Sequence, residues 1–387
     1  MSHETFRMLS FISLVLGAPI LAWCQSPSGP AARSPTPESV KGVVRVETVT
    51  NGLEHPWGLA FLPDGRMLVT ERPGRLRIVN QTGKLSQPLA GVPKVLAQGQ
   101  GGLLDVALDP KFRENRLVYL SYAEPGERGT AGTAVARGRL GQDRLEGVEV
   151  IYRQEPKVEG SGHFGSRLVF RSDGTLFVTQ GERMHYRERA QNLAEGLGKI
   201  MRINPDGSVP QDNPFVGRSG ARPEIWSYGH RNVQAAALEP ETGQLWTVEH
   251  GARGGDELNH PEAGKNYGWP IITYGVDYSG LKIGEGAIKP GLEQPVYYWD
   301  PVIAPSGMIF YTGDGFPDWK GNILVGSLQP GALVRLVMKD GKVAREERYL
   351  GDLGERIRDV QQGPDGLIYL ITDSGNGRVL RVLPARR

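Results

Sequence analysis

The chain has 387 residues, of which 53 are glycine and 28 are proline, and its formal net charge is only +2. This glycine and proline content excludes a mainly helical protein and is typical of a turn-rich, all-β architecture of one or more domains. The nearly balanced charge, with no basic run interleaved with aromatic residues, indicates that nucleic acid is not a partner.

The first 24 residues predict an export signal. Arg7 supplies a positive charge, and residues 8–23 form an apolar run that is short for a membrane span and is interrupted by Gly17 and Pro19. We therefore expect an exported protein, periplasmic or extracellular, with no membrane span in its mature form.

Cys24 is the single cysteine of the chain, so the mature domain has no internal disulfide. The residues around it partly resemble a lipoprotein cleavage site, which makes lipid anchoring through Cys24 one alternative. Trp23 fits that pattern poorly and favours cleavage by the ordinary signal peptidase instead. Residues 25–42 are rich in proline and serine and predict a flexible linker.

From residue 43 onward the sequence repeats one unit, an apolar strand, a tight turn and a second apolar strand. The turn is Asp-Gly or a relative of it, a strong hairpin signal because its turn type requires positive φ angles. The six copies lie at residues 56–72, 101–123, 160–182, 232–251, 306–328 and 357–375.

Weaker apolar segments between the copies supply the outer strands of each unit. They lie at residues 76–79, 148–152, 199–203 and 333–337. Six units of about four strands each predict a six-bladed β-propeller over residues 43–387. The long segments 182–198 and 254–299 break the repeat and are predicted to be functional loops on one face.

The repeat aligns polar residues where the first strand of each unit begins and where the second ends. The aligned residues are His55, Gln100, His163, Arg231, Ser306, Arg356 and Arg358 at the first place, and Glu71, Tyr122, Glu182, His250, Gln329 and Asp373 at the second. Equivalent positions of a propeller surround one end of its channel, so we expect these side chains to converge there. Because such cations are costly to bury alone and arginine grips carboxylates bidentately, the ring predicts a ligand with several carboxylates.

His163 and Glu182 lie at neighbouring ends of one hairpin. An imidazole beside a carboxylate is the usual arrangement of a general base. The alternative is a surface histidine with an unrelated acidic neighbour.

Residues 246–270 combine a glycine-rich backbone with Glu249, Asp256 and Glu257. Carbonyl and carboxylate oxygens are the ligands that calcium prefers, so the segment predicts a calcium site, with an acidic surface loop as the alternative. HExxH, GxSxG, P-loop and Rossmann patterns are absent from the sequence, which argues against zinc proteases, α/β-hydrolases, P-loop NTPases and nicotinamide enzymes.

Six motifs occur in a characteristic order: QGGLLDVALDP, GHFGSRLVF, YGHRN, EHGARGGDE, NYGWP and RIRDV. In these motifs residues 43–385 resemble the soluble pyrroloquinoline quinone (PQQ)-dependent aldose sugar dehydrogenases of the glucose/sorbosone dehydrogenase family. The resemblance implies PQQ over the channel mouth, a calcium ion on the quinone, and oxidation of the C1 hydroxyl of an aldose to the lactone. It also implies an external electron acceptor.

The resemblance implies a role for each matching position. His163 would be the general base, Glu182 the carboxylate that orients it, and Arg231 the cation that stabilises charge developing on the quinone. The implied PQQ contacts are Gln100, Arg231, Asn232, Tyr278, Gln329, Arg356 and Arg358. The implied calcium ligands are the backbone carbonyls of Gly251 and Ala252 at the catalytic ion, and Glu257 and Tyr267 at a second, structural ion.

The chain departs from the family pattern at two positions. Gln329 stands where family members often carry lysine, and Gly162 stands where glucose-oxidising relatives place an acidic residue that contacts sugar. We therefore expect a looser, less glucose-specific pocket. Two other classes of function remain alternatives: a calcium-dependent propeller lactonase or similar hydrolase, and a non-enzymatic propeller that binds a glycan or a protein.

Overall fold

The computed structural model describes residues 31–34 and 37–385, together with residue 1. The predicted export signal, apart from Met1, and the possible lipidation site at Cys24 lie outside these residues. In the described part of the chain no helix has the length and apolar character needed to cross a membrane.

The N-terminal part contributes three strands, β1 (Ala32–Arg33), β2 (Glu38–Ser39) and β3 (Val44–Leu53). The strands that follow, with one short helix, form blades 1 to 3: β4 (Pro56–Phe61), β5 (Met67–Glu71), β6 (Arg75–Val79), β7 (Leu103–Leu108), α1 (Phe112–Asn115), β8 (Leu117–Pro125), β9 (Ala131–Leu140), β10 (Leu145–Arg153), β11 (Gly165–Phe170), β12 (Leu176–Gln180), β13 (Lys199–Ile203) and β14 (Ile225–Tyr228).

The second half of the chain forms blades 4 to 6. Its strands are β15 (Val233–Leu238), β16 (Leu245–Glu249), β17 (Asp256–Asn259), β18 (Tyr297–Trp299), β19 (Pro305–Phe310), β20 (Ile323–Ser327), β21 (Ala332–Lys339), β22 (Lys342–Tyr349), β23 (Ile357–Gln362), β24 (Ile368–Thr372) and β25 (Gly377–Pro384). Short 3₁₀ helices occur at Glu127–Gly129, Arg187–Gln191, Pro317–Trp319 and Gly351–Leu353.

These strands form six antiparallel blades in a ring, which confirms the predicted six-bladed β-propeller. The innermost strands are β4, β7, β11, β15, β19 and β23, and each contacts the next around the ring, with β23 returning to β4. Asp-Gly turns close three of the predicted hairpins, and their glycines Gly65, Gly174 and Gly366 adopt φ angles of 84°, 85° and 73°. Blade 1 has three strands rather than four.

The ring is closed by a strand that the repeat did not predict. β3 pairs antiparallel with β25 and becomes the outer strand of blade 6, so a strand from the N-terminal part completes the last blade. The predicted linker also differs from expectation in its described parts. β1 pairs in parallel with β18 of blade 4, and β2 pairs in parallel with β22 of blade 5.

The two predicted loops differ from each other in the structure. Segment 182–198 contains the short helix Arg187–Gln191 and otherwise no regular element. Segment 254–299 begins and ends with β17 and β18, which complete blade 4, so only its middle is a loop. The sequence missed these strands because they are three or four residues long, too short for a clear alternation.

Hydroxyl groups join consecutive blades. Thr70 donates to Leu104 O of blade 2 and Thr179 donates to Val233 O of blade 4 at 2.9 Å, and in both cases the hydroxyl also accepts an amide of its own blade. A register shift near the start of every innermost strand leaves that amide outside the ladder. The bulge therefore turns one backbone group into an attachment point between blades.

Arg167 fills the centre of the channel. Its guanidinium lies 2.8 Å from Asp105 Oδ1 of blade 2 and 3.3 Å from Asp359 Oδ1 of blade 6. It also donates to Gln234 O of blade 4 at 3.2 Å and lies 4.4 Å from the ring centroid of Trp57 in blade 1. Burial raises the pKa of Asp105 to about 6 despite the guanidinium beside it. We call Arg167, Asp105 and Asp359 the central ion cluster.

The central ion cluster predicts a large stability effect at Arg167. Arg167→Met should lower the free energy of unfolding by about 3–5 kcal/mol, because it leaves two buried carboxylates without their cation. The matched control is Arg171→Met, which removes a partly exposed arginine 3.2 Å from Asp173 and should cost at most about 1 kcal/mol. Urea denaturation of both variants checks the difference, and equal losses would contradict a special role for the cluster.

Candidate active site

A histidine–carboxylate pair is buried at the start of blade 3. His163 Nδ1 lies 2.8 Å from Glu182 Oε2, and both side chains are almost completely inaccessible to solvent. The His163 amide donates to Gln100 Oε1 at 2.9 Å, so a residue of the neighbouring blade fixes the backbone. The structure therefore brings together the two residues that the hairpin argument paired.

The tautomer of His163 follows from its partner. A carboxylate only accepts hydrogen bonds, so Nδ1 carries the proton and Nε2 keeps its lone pair. Burial lowers the pKa of His163 below its usual value; Glu182 opposes this effect, whereas the nearby Arg231 and Arg183 reinforce it. The imidazole is consequently held in the neutral form that a base requires.

Arg231 and Asn232 lie in the turn that precedes β15. The Arg231 amide donates to Glu249 Oε2 at 2.7 Å, and its guanidinium donates to His250 O at 3.1 Å and lies 5.1 Å from the Trp269 ring. Asn232 Oδ1 accepts the amide of Gly165 at 3.1 Å.

Several buried polar atoms of this region have no hydrogen-bond partner within the described chain. They include Arg231 Nε, Asn232 Nδ2 and Glu182 Oε1. An unpaired buried donor or acceptor is costly, so these atoms are suited to a polar ligand.

Three arginines and a histidine surround Asp373 on the opposite side of the mouth. Arg358 lies 2.6 Å, and Arg356 3.8 Å, from Asp373 Oδ2, while His55 Nδ1 lies 2.9 Å, and Arg72 3.5 Å, from Asp373 Oδ1. Burial would raise the pKa of Asp373, but Arg358 and its other partners hold it well below the usual range. We call these five residues the cationic cluster; it contains more positive charge than one carboxylate can neutralise.

The predicted ring is wrong at three positions. Glu71 is bonded by Arg75 and Arg77 inside blade 1, Tyr122 packs in the core between blades 1 and 2, and the Ser306 hydroxyl donates to Ile357 O. These side chains belong to the blades rather than to the mouth.

Strand register explains the error at Glu71. Glu71 pairs with the first residue of β4, as Thr372 pairs with the first residue of β23, and both side chains are buried. The residue that follows in each blade, Arg72 or Asp373, is the one that reaches the mouth. A shift of one residue reverses the side of the sheet, so Arg72 could have been found by counting from the hairpin.

Three of the four residues predicted to hold calcium line one narrow cavity. Its lining joins them to Arg231: Gly229, Arg231, Glu249, His250, Gly251, Gly255, Glu257, Tyr267, Trp269, Ile272 and Thr273. Ala252, the remaining predicted ligand, follows Gly251 and is buried. Over residues 37–385 no three or more acidic, histidine or cysteine side chains are grouped as a metal cage, so backbone oxygens would have to contribute.

Glu257 is the carboxylate of this cavity that fits a cation. Burial, together with the neighbouring Glu249, its cross-strand partner, raises the pKa of Glu257 to about 8. Asp256 is instead committed to the fold, since its two oxygens accept the amides of Gly251, Ile303 and Ala304.

Tyr267 lies at the other side of the same cavity. Its hydroxyl is occupied, donating to His260 O and accepting the Glu262 amide at 3.0 Å, and its ring stacks on His230. Any bond from Tyr267 to a metal would therefore come from the backbone carbonyl.

The other predicted contacts are exposed. Gln100, Gln329 and Arg356 are exposed, and 62 % of the surface of Tyr278 is accessible on the 254–299 loop. Arg335 pairs with Glu347 at 2.9 Å within blade 5, so it does not take the place of the lysine that family members often carry at position 329.

The family model described as Glucose / Sorbosone dehydrogenase matches residues 53–381. The chain is 49% identical over 346 residues to the aldose sugar dehydrogenase YliI of Escherichia coli K12, covering 88% of this chain and 93% of that protein.

Solved structures agree with the family match. A crystal structure of a glucose dehydrogenase superposes with a TM-score of 0.86 at 53% identity, covering 87% of this chain and 99% of that one. The PQQ-bound form of an aldose sugar dehydrogenase from Streptomyces coelicolor superposes with a TM-score of 0.72 at 28% identity, covering 89% of this chain and 99% of that one. The predictions of an enzyme and of an oxidoreductase are confirmed, and the chain belongs to the glucose/sorbosone dehydrogenase family.

Proposed function

We propose that this chain oxidises the C1 hydroxyl of aldose sugars to the lactone with PQQ and calcium as cofactors, and that His163 is the general base. The observation that supports this most directly is the buried His163–Glu182 pair beside Arg231. The names of the relatives, which specify aldose sugars and glucose, and the PQQ in one related structure support the same chemistry.

His163 provides the acid–base part of the reaction. Nδ1 donates to Glu182, so the lone pair of Nε2 is free to accept the proton of the C1 hydroxyl. The C1–H bond then releases its electron pair as hydride, and C1 becomes the carbonyl carbon of the lactone. When bound, PQQ supplies the two-electron acceptor for that hydride, and calcium supplies the Lewis acid that polarises the acceptor.

The cationic cluster suits the carboxylates of PQQ. Arg356 is half exposed, with 50% of its side chain accessible, and among the described residues its charge is offset by one ion pair, with Asp373 at 3.8 Å. Arg358 is anchored on Asp373 and on Gln234 Oε1 at 2.8 Å, so its guanidinium is fixed in orientation before a ligand arrives. A preorganised guanidinium loses little freedom when it binds a carboxylate.

The cavity beside Arg231 suits calcium. The backbone carbonyls of Gly251 and Ala252 would hold the ion at the cofactor, and Glu257 with the backbone of Tyr267 would hold the structural ion. The buried Glu257 carboxylate, close to Glu249, would gain most from a divalent cation.

Position 162, next to His163, carries no charged side chain. Gly162 precedes the base, and a Cβ atom placed there would meet Met184 Sδ at 3.3 Å. Met184 is itself 42% exposed. We therefore propose a broad specificity for aldoses. We also propose an external electron acceptor and export to the periplasm or beyond.

The first test of the function concerns its cofactors. Apo-protein freed of metal by chelation should reduce a dye with an aldose only when PQQ and calcium are both added back, because the acceptor and its Lewis acid act together. Dye reduction that survives both chelation and the absence of PQQ would refute the proposal. Hydrolysis of a sugar lactone with calcium alone would favour the lactonase instead.

The second test concerns His163. His163→Ala should lower turnover by about 10²-fold or more at saturating PQQ while PQQ affinity persists, since a general base typically contributes that much. Turnover of the wild type should rise with pH, because only neutral His163 accepts a proton, and its midpoint should lie below the usual histidine pKa of about 6.5. His185→Ala is the control, because it removes an exposed histidine of segment 182–198. It should leave turnover and its pH midpoint unchanged.

The third test concerns the departure at Gln329. A hydrogen bond to a charged group contributes about 1.5–3 kcal/mol against about 0.5–1.5 for a neutral one, so Gln329→Lys should tighten PQQ binding about tenfold. The gain should shrink with added salt and leave turnover unchanged. Titration of PQQ into calcium-loaded apo-protein measures it, with Gln244→Lys on the opposite face as the control for net charge. Equal affinities at low salt would mean that Gln329 does not face the cofactor.

A further inference from the structure

We infer that Arg183 is a positioning residue that fixes His163 and sets the charge state of its imidazole. The inference rests on the proposed function, in which His163 is the base. Arg183 follows Glu182 in the chain and its side chain has no solvent-accessible surface. Across the described residues no carboxylate forms an ion pair with it, which is unusual for a buried guanidinium.

The guanidinium is held by backbone carbonyls instead. Nε donates to Gly162 O at 2.9 Å, Nη2 donates to Gly160 O, and Nη1 donates to Ala131 O in blade 2. Two of the three acceptors lie in the short segment that leads into His163. The planar fork of arginine can satisfy three separately placed carbonyls, which a lysine ammonium does less rigidly.

Arg183 also contacts Phe164 and the backbone of His163. Its guanidinium carbon lies 3.8 Å from the ring centroid of Phe164, and its amide donates to His163 O at 3.2 Å. Residues 162 and 164 therefore contact the Arg183 side chain, and residue 163 is bound by the Arg183 backbone amide.

The backbone conformation at His163 and Arg183 is unfavourable and must be held by contacts with neighbouring residues. His163 and Arg183 have φ angles of 49° and 66°, in the left-handed region that non-glycine residues seldom adopt. Residues keep such conformations only when their surroundings hold them.

The charge of Arg183 acts on the base. Four charged or titratable groups face His163: Glu182, Arg231, Arg183 and His250. Burial lowers the pKa of Arg183 to about 10, so it is still protonated at neutral pH. Two arginines and one carboxylate already give this group a net positive charge, so protonation of the imidazole is disfavoured.

The test compares Arg183→Met, which removes the charge and the three donors, with Arg183→Lys, which keeps the charge. Arg183→Met should raise the pKa of His163 by about one unit, as expected for the loss of a nearby like charge. It should also reduce turnover at high pH several-fold. Arg183→Lys should keep the pH midpoint near that of the wild type and restore part of the turnover.

The pKa is measured without cofactor, by NMR titration of the apo-protein carrying ¹³C-labelled histidine. The chain has 7 histidines, and the His163→Asn variant identifies the signal of His163. Should Arg183→Met not fold, Arg183→Gln removes the charge but keeps a donor for the carbonyls. Arg189→Met, which removes a partly exposed arginine of the same loop, is the matched control.

The outcomes separate the inference from the proposed function. An unchanged His163 titration in Arg183→Met, or equal losses in the methionine and lysine variants with no shift in midpoint, would overturn the inference even if the wild type oxidises aldoses. A shifted titration in a protein that oxidises no aldose would leave the inference standing for the histidine and reject its role as a sugar base.

Discussion

The propeller depends on a single buried guanidinium at its centre. Arg167 reaches carboxylates of blades 2 and 6, a carbonyl of blade 4 and an indole of blade 1. The carboxylates in turn accept backbone amides, Leu168 N at Asp105 and Leu59 N at Asp359. One charge thus fixes the relative positions of innermost strands that share no hydrogen-bond ladder.

Space for this cluster comes from two glycines. A Cβ atom on Gly58 would lie 2.7 Å from Asp105 Oδ1, and one on Gly307 would lie 2.3 Å from Asp359 Oδ1. These positions are occupied by glycine because a carboxylate of the neighbouring blade fills the volume of the missing side chain. His163 and Arg356 lie one or two positions before β11 and β23, two strands of this cluster, so the ion cluster and the active site share one rigid support.

Much of the fold could be predicted because its signal is repeated. The turn chemistry and apolar strands recur six times, and each copy is a local feature of a few residues. The closing strand β3 could not be predicted this way, because its partner lies more than 300 positions away. The sequence of a single strand does not identify the strand with which it pairs. The short edge strands β1 and β2 were missed for the same reason.

The candidate site could be predicted where the position of a residue in the repeat decides whether its side chain reaches the mouth. His163, Arg231 and Arg358 lie at the mouth because their place in the hairpin puts them there. Glu71 and Arg72 show the limit, since a bulge near the strand start makes the count uncertain by one residue and one residue decides between blade interior and mouth. Arg183 lies in a loop with no period, and only the three carbonyls gathered around it in space reveal its place.

The pairing of β3 with β25 also dictates the order of assembly. A ribosome makes residues 44–53 early and residues 377–384 almost last, so at about 5–20 residues per second β3 exists for tens of seconds before its partner. During that interval β3 has unpaired edges and is able to pair with another chain. Any factor that keeps the nascent chain extended until it is complete would therefore raise the yield of closed rings without changing the stability of the finished protein.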